Sequence, residues 1–246
     1  MEILIAGYGI VGKSIKKRFF PNADIFDPAL GYVKTDKKYD CCIVCVPTPL
    51  MDGKLDTKDV EQVFRDIEAK YFLLKSTVPI GFSDKFNNVM FSPEFSGSTP
   101  HSQDVDDEFT IVGATTKEER QFISDLFYSY CAMINHKIYF TTNKEAELIK
   151  LTENAYLGYI VTFASEMSEI AEKYGIDYNI VSELLRMDKR MPQSHMHIFK
   201  GQHYYQSHCL DKDIPHLAQD SKLLTFIVQY NNEKKKGYEG LTNGYI

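Results

Sequence analysis

The chain has 246 residues, 43% of them hydrophobic, which is enough apolar material for a packed core in one large or two small domains. Its formal net charge of −6 argues against nucleic acid as a main partner, because neutralising phosphates requires clustered Lys and Arg. No apolar stretch approaches the roughly twenty residues of a membrane span, and no charged-then-apolar leader precedes the first predicted strand. Five cysteines without framework spacing suit a reducing compartment, so we expect a cytoplasmic protein without a membrane partner.

The first part of the chain alternates short apolar strands with helical segments. This alternation is typical of a doubly wound parallel sheet, so the predicted fold class is α/β with an N-terminal Rossmann-like domain. The predicted strands cover residues 2–6, 23–26, 42–46, 71–75, 89–92, 110–113 and 137–140, and the predicted helices cover 11–20, 57–69 and 117–130.

The pattern turns helical after residue 141. Thr142 and Glu145 have capping-box spacing, and they begin a helical pattern that continues to Tyr174. We therefore predict a Rossmann-like domain over residues 1–140 and an all-α domain with a long central helix over residues 141–246. The remaining predictions are a second helix, a long loop and a final helix, at residues 177–186, 188–212 and 214–231.

A glycine-rich turn directly follows the first predicted strand. Its G-x-G-x-x-G spacing provides a tight turn, backbone access to a pyrophosphate and close packing of the next helix, whose N-terminal N–H groups face the phosphates. Asp27 ends the second strand, where a carboxylate accepts hydrogen bonds from the adenosine ribose and favours NAD over NADP. The predicted cofactor-binding residues of the turn are Gly7, Tyr8, Gly9, Ile10, Val11 and Gly12.

Other polar segments follow the ends of predicted strands, where a doubly wound sheet binds its ligands. Each could be ordinary turn chemistry, because Pro and Gly interrupt elements while Ser and Thr cap them. Together with the glycine turn we expect them to line one crevice. They are Val46-Pro47-Thr48-Pro49, Lys75-Ser76-Thr77-Val78-Pro79-Ile80-Gly81 and Ser92-Pro93-Glu94-Phe95.

Two features of the helical half point to chemistry. Lys150 and Asn154 are four residues apart on the long predicted helix, so they either donate hydrogen bonds to a developing oxyanion or form a solvated face. Cys209 precedes the last predicted helix with Lys212 nearby, which suits a low-pKa nucleophile. Asp213 could cap that helix, act as a base, or do both.

No metal site is predicted. The segment Cys41-Cys42-Ile43-Val44-Cys45 is better explained as a buried parallel strand than as a metal-binding motif. His195, His197, His203 and His208 crowd the long loop, but no carboxylate or cysteine spacing completes a ligand set. We expect these histidines to contact an anionic substrate or to fill the loop.

Six segments in order resemble the nucleotide-sugar 6-dehydrogenases of the UDP-glucose/GDP-mannose dehydrogenase family. Four are the glycine turn and the three strand-end segments, and the others are Ala146–Lys150 with Asn154 and Cys209–Asp213. The resemblance implies a four-electron oxidation of a sugar C6 alcohol by two NAD, through a thiohemiacetal and a thioester on Cys209, to a uronate. It also implies a nucleotide-sugar substrate, a role in polysaccharide biosynthesis, and a homodimer formed through the long helix.

The resemblance implies a role for each matched residue. Lys150 and Asn154 stabilise oxyanions, Asp213 is the base, Thr77 positions the water, and Glu94 assists thioester hydrolysis. The implied cofactor contacts beyond the glycine turn are Asp27, Val46, Pro47, Thr48, Thr77 and Lys212. The implied substrate contacts are Glu94, Phe95, Ser96, Lys150, Asn154 and Arg190, the last often across a dimer interface.

Some features depart from the family pattern. Bulky residues 202–208 replace a glycine-rich turn before the cysteine, Asp211 replaces a proline, and Ser98 replaces a second carboxylate. The family's third, nucleotide-holding domain is expected to be lacking. Two other functions stay open: a two-electron β-hydroxyacid dehydrogenase, and a non-catalytic NAD-binding or assembly protein.

Overall fold

The structure is a computed structural model that describes residues 1–33, 36–95, 109–130, 136–199 and 203–242. The chain divides into two compact units, Met1–Met51 with Leu55–Lys150 and Asp52–Lys54 with Leu151–Ile246. The division falls inside the long helix, C-terminal to the predicted boundary at residue 140, which stays a prediction. None of the helices in the described ranges is long and apolar enough to cross a membrane.

Short strands alternate with helices through the first unit, and helices dominate the second. The strands are β1 Ile3–Ala6, β2 Asp24–Phe26, β3 Tyr39–Val44, β4 Leu50–Met51, β5 Lys54–Leu55, β6 Ala69–Leu74, β7 Val89–Phe91, β8 Phe109–Gly113 and β9 Lys137–Thr141. The α-helices are α1 Ile10–Arg18, α2 Lys58–Asp66, α3 Lys117–Ser124, α4 Asn143–Lys173, α5 Tyr178–Leu185, α6 Leu210–Ala218 and α7 Lys222–Thr242. Pro28–Leu30 and Ser83–Lys85 form 3₁₀ turns, and Asp125–Tyr130 forms a π-helical segment.

A five-stranded parallel sheet in the order β2-β1-β3-β6-β7 confirms the predicted α/β fold. The strand order reverses at β1, so the crevice between the carboxyl ends of β1 and β3 is the expected ligand position. The last residues of the strands are in register: Ala6 pairs with Phe26 and Val44, and Leu74 pairs with Val44 and Phe91. The residues that follow each strand therefore begin at one edge of the sheet.

Side chains of the strands alternate between two hydrophobic clusters, one on each face of the sheet. Ile5, Cys41 and Leu73 pack with Ile15 and Phe127 on one face. On the opposite face, Leu4, Val44 and Leu74 pack with Val60 of α2 and Ala146 of α4, among others. Cys42 belongs to this second cluster. The structure thus places Cys41 and Cys42 in a buried parallel strand, as the sequence predicts.

Close packing of α6 on α4 builds the centre of the second unit. A Cβ on Gly158 would overlap the Cδ1 atom of Ile214, so in this arrangement the glycine makes room for the end of the Ile214 side chain. Ile214 is fully buried with Tyr205, Leu210 and Ile227. Gly158 and the buried cluster around Ile214 therefore lie at the contact between α4 and the helix that carries Asp213.

The start of α4 agrees with the sequence. The Thr142 N–H donates to the Glu145 carboxylate, and the Glu145 N–H donates to the Thr142 hydroxyl at 3.3 Å. This is the predicted capping box.

The structure corrects two predicted helices and adds a hairpin that was not predicted. The final helix, predicted at 214–231, is two helices, because α6 already begins at Leu210 and Ser221 caps a new helix by accepting the N–H of Leu224. The helix predicted at 117–130 changes to π-helical geometry after Ser124. The hairpin β4–β5 was missed because its strands have two residues each; its turn, Asp52 and Gly53, has φ of 50° and 76°.

Candidate functional site

Each glycine of the first turn has a separate structural reason. Gly7 has φ +89°, and a Cβ there would lie 2.7 Å from the carbonyl group of Cys45. A Cβ on Gly12 would overlap the Gly7 carbonyl oxygen, so this glycine allows α1 to approach β1. Around Gly9 no heavy atom of the described residues lies within 4 Å of a Cβ position. The turn therefore fits a pyrophosphate, since its middle glycine faces open space at the start of α1.

Asp27 lies directly beside the glycine turn. The N–H of Tyr8 donates to Asp27 Oδ2 at 2.7 Å, and the N–H of Gly7 donates to the carbonyl of Phe26 at 2.9 Å. The Asp27 backbone also pairs with Tyr32. A half-buried carboxylate is thereby fixed at the end of β2, where the ribose hydroxyls of a bound dinucleotide would lie. These residues fit NAD.

The segments after β3 and β6 are tied together by hydroxyl groups. Thr48 donates its Oγ1–H to the carbonyl of Thr77 at 2.8 Å, and Ser76 donates to the carbonyl of Val46 at 2.6 Å. Thr48 and Thr77 are both buried. These bonds hold the backbone of one segment against the other, so the Thr48 hydroxyl has a structural partner in addition to its predicted cofactor role.

Glu94, after β7, lies in a cluster of charged side chains that are buried or half-buried. Lys75 Nζ is 3.6 Å from Glu94 Oε2, and Arg18 Nη1 is 3.6 Å from Glu94 Oε1. Lys150 Nζ lies 5.7 Å from the ring centroid of the neighbouring Phe95, within cation–π range. Glu94, Phe95 and Lys150 are thus gathered in the first unit, whereas the predicted substrate contact Ser96 lies outside the described residues.

Glu147 lies in the Ala146–Lys150 segment and is a further candidate for the site, without a predicted role. Its fully buried carboxylate accepts the N–H groups of Gly81 and Ser83, the latter at 2.9 Å. Burial raises the pKa of Glu147, and the two N–H donors oppose that rise. Glu147 therefore fixes the far end of the segment that contains Thr77. The sequence feature that could have identified Glu147 is its position one helical turn before Lys150.

Three predicted site residues come together in the second unit. Asn154 Nδ2 donates to Asp213 Oδ2 at 2.6 Å, and Lys212 Nζ donates to Asp213 Oδ1 at 2.6 Å. The side chain of Asp213 is 0% exposed, so two donors compensate the burial of its charge. Asp213 is thereby oriented as a carboxylate, and Lys212, predicted to contact the cofactor, has this carboxylate as its partner.

Cys209 is the exposed N-cap residue of α6. The Asp213 N–H donates to the Cys209 carbonyl at 3.0 Å, so thiol and carboxylate belong to the same helical turn. A helix N-terminus favours a thiolate. The cysteine, the aspartate and Asn154 thus occupy one unit, and the predicted residues Thr77, Glu94 and Lys150 occupy the other.

Arg190 and His203 each contact side chains of the second unit. Arg190 is paired with Asp188, its side chain is exposed, and this pairing lowers the pKa of Asp188. His203 is buried: its carbonyl accepts from Ser165 at 2.5 Å and its Nδ1 lies 3.2 Å from Ser168 Oγ. This histidine therefore fills the loop, one of the two roles expected for the group. Within the described ranges no three His, Cys, Asp or Glu side chains form a metal-binding group.

Known proteins match both halves of the chain. Residues 144–234 match the model of the UDP-glucose/GDP-mannose dehydrogenase family, central domain. A UDP-glucose 6-dehydrogenase of Campylobacter jejuni is 29% identical over 252 residues, covering 92% of this chain and 61% of the relative. A UDP-N-acetyl-D-mannosamine dehydrogenase of Methanocaldococcus jannaschii is 24% identical over 76% of this chain and 46% of its own length. The chain thus spans about half to three fifths of these relatives.

Solved structures share the fold. A UDP-glucose dehydrogenase from Pyrobaculum islandicum superposes with a TM-score of 0.70 at 19% identity, over 97% of this chain and 68% of the other. A GDP-mannose dehydrogenase from Pseudomonas aeruginosa gives 0.63 at 22% identity, over 99% and 71%. With the family-model match over residues 144–234, these likenesses agree with the resemblance seen in the motifs: the chain is similar to UDP-glucose and GDP-mannose dehydrogenases, and its residues 144–234 match the model of that family's central domain.

Proposed function

We propose that this protein oxidises the C6 alcohol of a nucleotide sugar to the carboxylate, using NAD as hydride acceptor and Cys209 as covalent nucleophile. The observation that carries the proposal is the hydrogen bond between Asn154 and Asp213, which joins two predicted catalytic residues separated by 59 positions. Both lie in the region that matches the family's central domain. The alternative functions, two-electron oxidation and non-catalytic NAD binding, are outcomes of the test below.

The geometry of the first unit supports NAD binding. Gly9 leaves open space at the N-terminus of α1, and Asp27 stands fixed beside it. Bound NAD would supply the two-electron oxidation, taking one hydride in each of two rounds. A carboxylate at the end of β2 repels a 2′-phosphate, so NAD rather than NADP is the proposed cofactor.

The proposed reaction has three covalent stages. The alcohol loses a proton and a hydride to give an aldehyde, and the Cys209 thiolate adds to its carbonyl carbon to form a thiohemiacetal. Loss of a second hydride and a proton leaves a thioester. Water then adds, the carbon–sulfur bond breaks, and the products are the carboxylate and the regenerated thiol. One alcohol, two NAD and one water therefore yield one carboxylate, two NADH and three protons.

The second unit supports the acid–base part of this scheme. Asp213 is buried and oriented by Asn154 and Lys212, which suits a base that must accept a proton at one fixed position. Cys209 is exposed at the start of the same helix, where the helix dipole lowers the cost of a thiolate. We assign oxyanion stabilisation to Lys150 and Asn154, as the resemblance implies. Arg190, exposed in its loop, stays assigned to the substrate.

A homodimer is part of the proposal. Tyr156, Tyr159 and Phe163 follow one another along α4 at 53%, 43% and 41% exposure, and their rings stack in sequence. An exposed aromatic row of this kind is typical of a surface covered by a partner. A second copy placed on this row agrees with the dimerisation helix that the resemblance implies.

The test is the stoichiometry of NADH released per sugar oxidised, measured with UDP-glucose, UDP-N-acetylmannosamine and GDP-mannose. The proposal predicts two NADH per carboxylate with at least one of them, and loss of turnover in Cys209→Ala. One NADH per sugar, with the aldehyde as product, would establish the two-electron alternative. NAD binding without oxidation of any sugar would establish the non-catalytic one.

A further inference from the structure

A buried lysine lies in the first unit, and the proposed chemistry does not use it. Lys75 follows β6 directly, and its side chain is only 5% exposed. Burial of an ammonium group is costly unless the charge has a partner. Lys75 Nζ donates to Ser92 Oγ at 3.0 Å and lies 3.6 Å from Glu94 Oε2. Both partners belong to the segment after β7, so one ammonium group contacts that segment at two points.

Two cationic side chains flank the carboxylate of Glu94. Arg18, at the end of α1, faces Oε1, and Lys75 faces Oε2, each at 3.6 Å. These distances exceed ordinary hydrogen bonds, so the contacts are mainly Coulombic. The side chain of Arg18 is 23% exposed, which leaves its charge better screened than that of Lys75. Lys75 is therefore the stronger influence on the ionisation of Glu94.

Other titratable groups face this pair from neighbouring elements. Cys45, after β3, interacts with both Lys75 and Glu94, and burial raises its pKa to about 12. His136, before β9, interacts with Lys75 and Arg18, and burial together with these cations lowers its pKa. Both are uncharged at neutral pH. Among the described groups of this cluster, Glu94 therefore carries the negative charge that accompanies Lys75 and Arg18.

We infer that Lys75 is a positioning residue, which holds the Glu94 carboxylate ionised and fixed at the carboxyl end of the sheet. The inference rests on the proposed function, in which Glu94 assists hydrolysis of the thioester. An ionised carboxylate can accept a proton from the attacking water, whereas a protonated one cannot. Removing the lysine charge should therefore leave Glu94 protonated over a wider pH range.

The experiment follows the Glu94 carboxyl carbon by NMR titration of the full chain with ¹³C-labelled glutamate, and Glu94→Gln identifies the signal. The test variant is Lys75→Met, which keeps the length of the side chain and removes its charge. The matched control is Lys144→Met, because Lys144 forms an exposed pair with Asp84 at 3.7 Å. Lys75→Arg restores the charge. Each variant is also assayed for NADH formation as a function of pH.

We expect the titration midpoint of Glu94 to move to higher pH by about one unit or more in Lys75→Met. It should stay unchanged in Lys144→Met and return towards wild type in Lys75→Arg. An unchanged midpoint in Lys75→Met would overturn the inference. If that variant does not fold, Glu94→Gln tests the contact from the other side: the Lys75 amine should then titrate at lower pH, because Glu94 supports its charge, and an unchanged amine overturns the inference.

NADH formation separates this inference from the proposed function. A shifted Glu94 midpoint, with no NADH formed by any variant on any sugar, supports the contact and contradicts the proposed function. If NADH forms and the acid limb of its pH–rate profile stays at the same pH in Lys75→Met, the positioning role is contradicted and the proposed function stands. A merely structural role for Lys75 would lower the rate without moving the acid limb.

Discussion

Replacing Gly12 or Gly9 by alanine should separate packing of the glycine turn from its ligand binding. In an ordinary helix, Gly→Ala stabilises by up to about 1 kcal/mol. Gly12 lies inside α1, yet its added Cβ would overlap the Gly7 carbonyl oxygen and approach that carbonyl carbon to 3.1 Å and Ile5 Cγ2 to 3.3 Å. Two of these three atoms are backbone, so no side-chain rotation relieves the overlap. We expect Gly12→Ala to destabilise by about 2–3 kcal/mol, in the range of overpacked cores.

Gly9→Ala is the matched control for this substitution. Gly9 is the N-cap of α1 with φ −76°, and its Cβ position is open. The loss of a good N-cap and the smaller entropy of the unfolded chain nearly offset each other, so stability should change by less than about 0.5 kcal/mol. The methyl group would, however, occupy the space proposed for the pyrophosphate. We expect NAD affinity to fall at least about tenfold, because the methyl group would block the close approach of the pyrophosphate to the backbone that glycine allows.

The assays are urea unfolding for stability and calorimetric titration for NAD binding, both on the full chain. Gly12→Ala with wild-type stability would refute the packing argument. Gly9→Ala with unchanged NAD affinity would refute the position assigned to the pyrophosphate. Each substitution adds one methyl group to the wild-type chain, so the two variants have the same composition and the same charge.

Three further predictions concern single side chains. Asp27→Asn should weaken NAD binding and reduce the preference for NAD over NADP, because the carboxylate that repels a 2′-phosphate is removed. The ratio of the Kd values for NAD and NADP measures this preference, and an unchanged ratio would contradict the role of Asp27. Asn154→Ala should destabilise by about 1–3 kcal/mol in urea unfolding, because it leaves the buried Asp213 without one donor; Asn87→Ala, at an exposed position, is the control and should change little. Glu147 has a folded-state pKa above its unfolded value of 4.5, so its contribution to stability is fully present below that value and is lost as pH rises from there through the folded-state pKa. Wild type should therefore lose stability relative to Glu147→Gln as pH rises above that value, and a difference that grows in the opposite direction would contradict the assignment.

The sheet and the edge at which its segments meet could be predicted from the sequence, because both follow from local signals. Apolar runs such as Cys42–Val46 are long enough to mark strands, and the glycine turn fixes the order of strand, turn and helix. The two-residue strands β4 and β5 carry too little pattern for such a prediction. The early start of α6 was missed because its N-cap is Cys209, a residue without a capping preference.

The partners of the site residues could not be predicted in the same way. The pairing of Glu94 with Lys75 and Arg18 joins three separate segments, and no spacing in the sequence links them. The bond between Asn154 and Asp213 depends on how α6 packs against α4, where Gly158 and Ile214 meet. Sequence motifs identify the chemical groups, whereas packing decides which of them meet.

The most direct test of the central claim is mass spectrometry of the Cys209 peptide after acid quenching during turnover with NAD and a nucleotide sugar. The account predicts an acyl adduct of the oxidised sugar on Cys209, formed only when NAD is present and absent in Cys209→Ala. An unmodified Cys209 peptide, recovered while NADH accumulates at two per sugar, would contradict it.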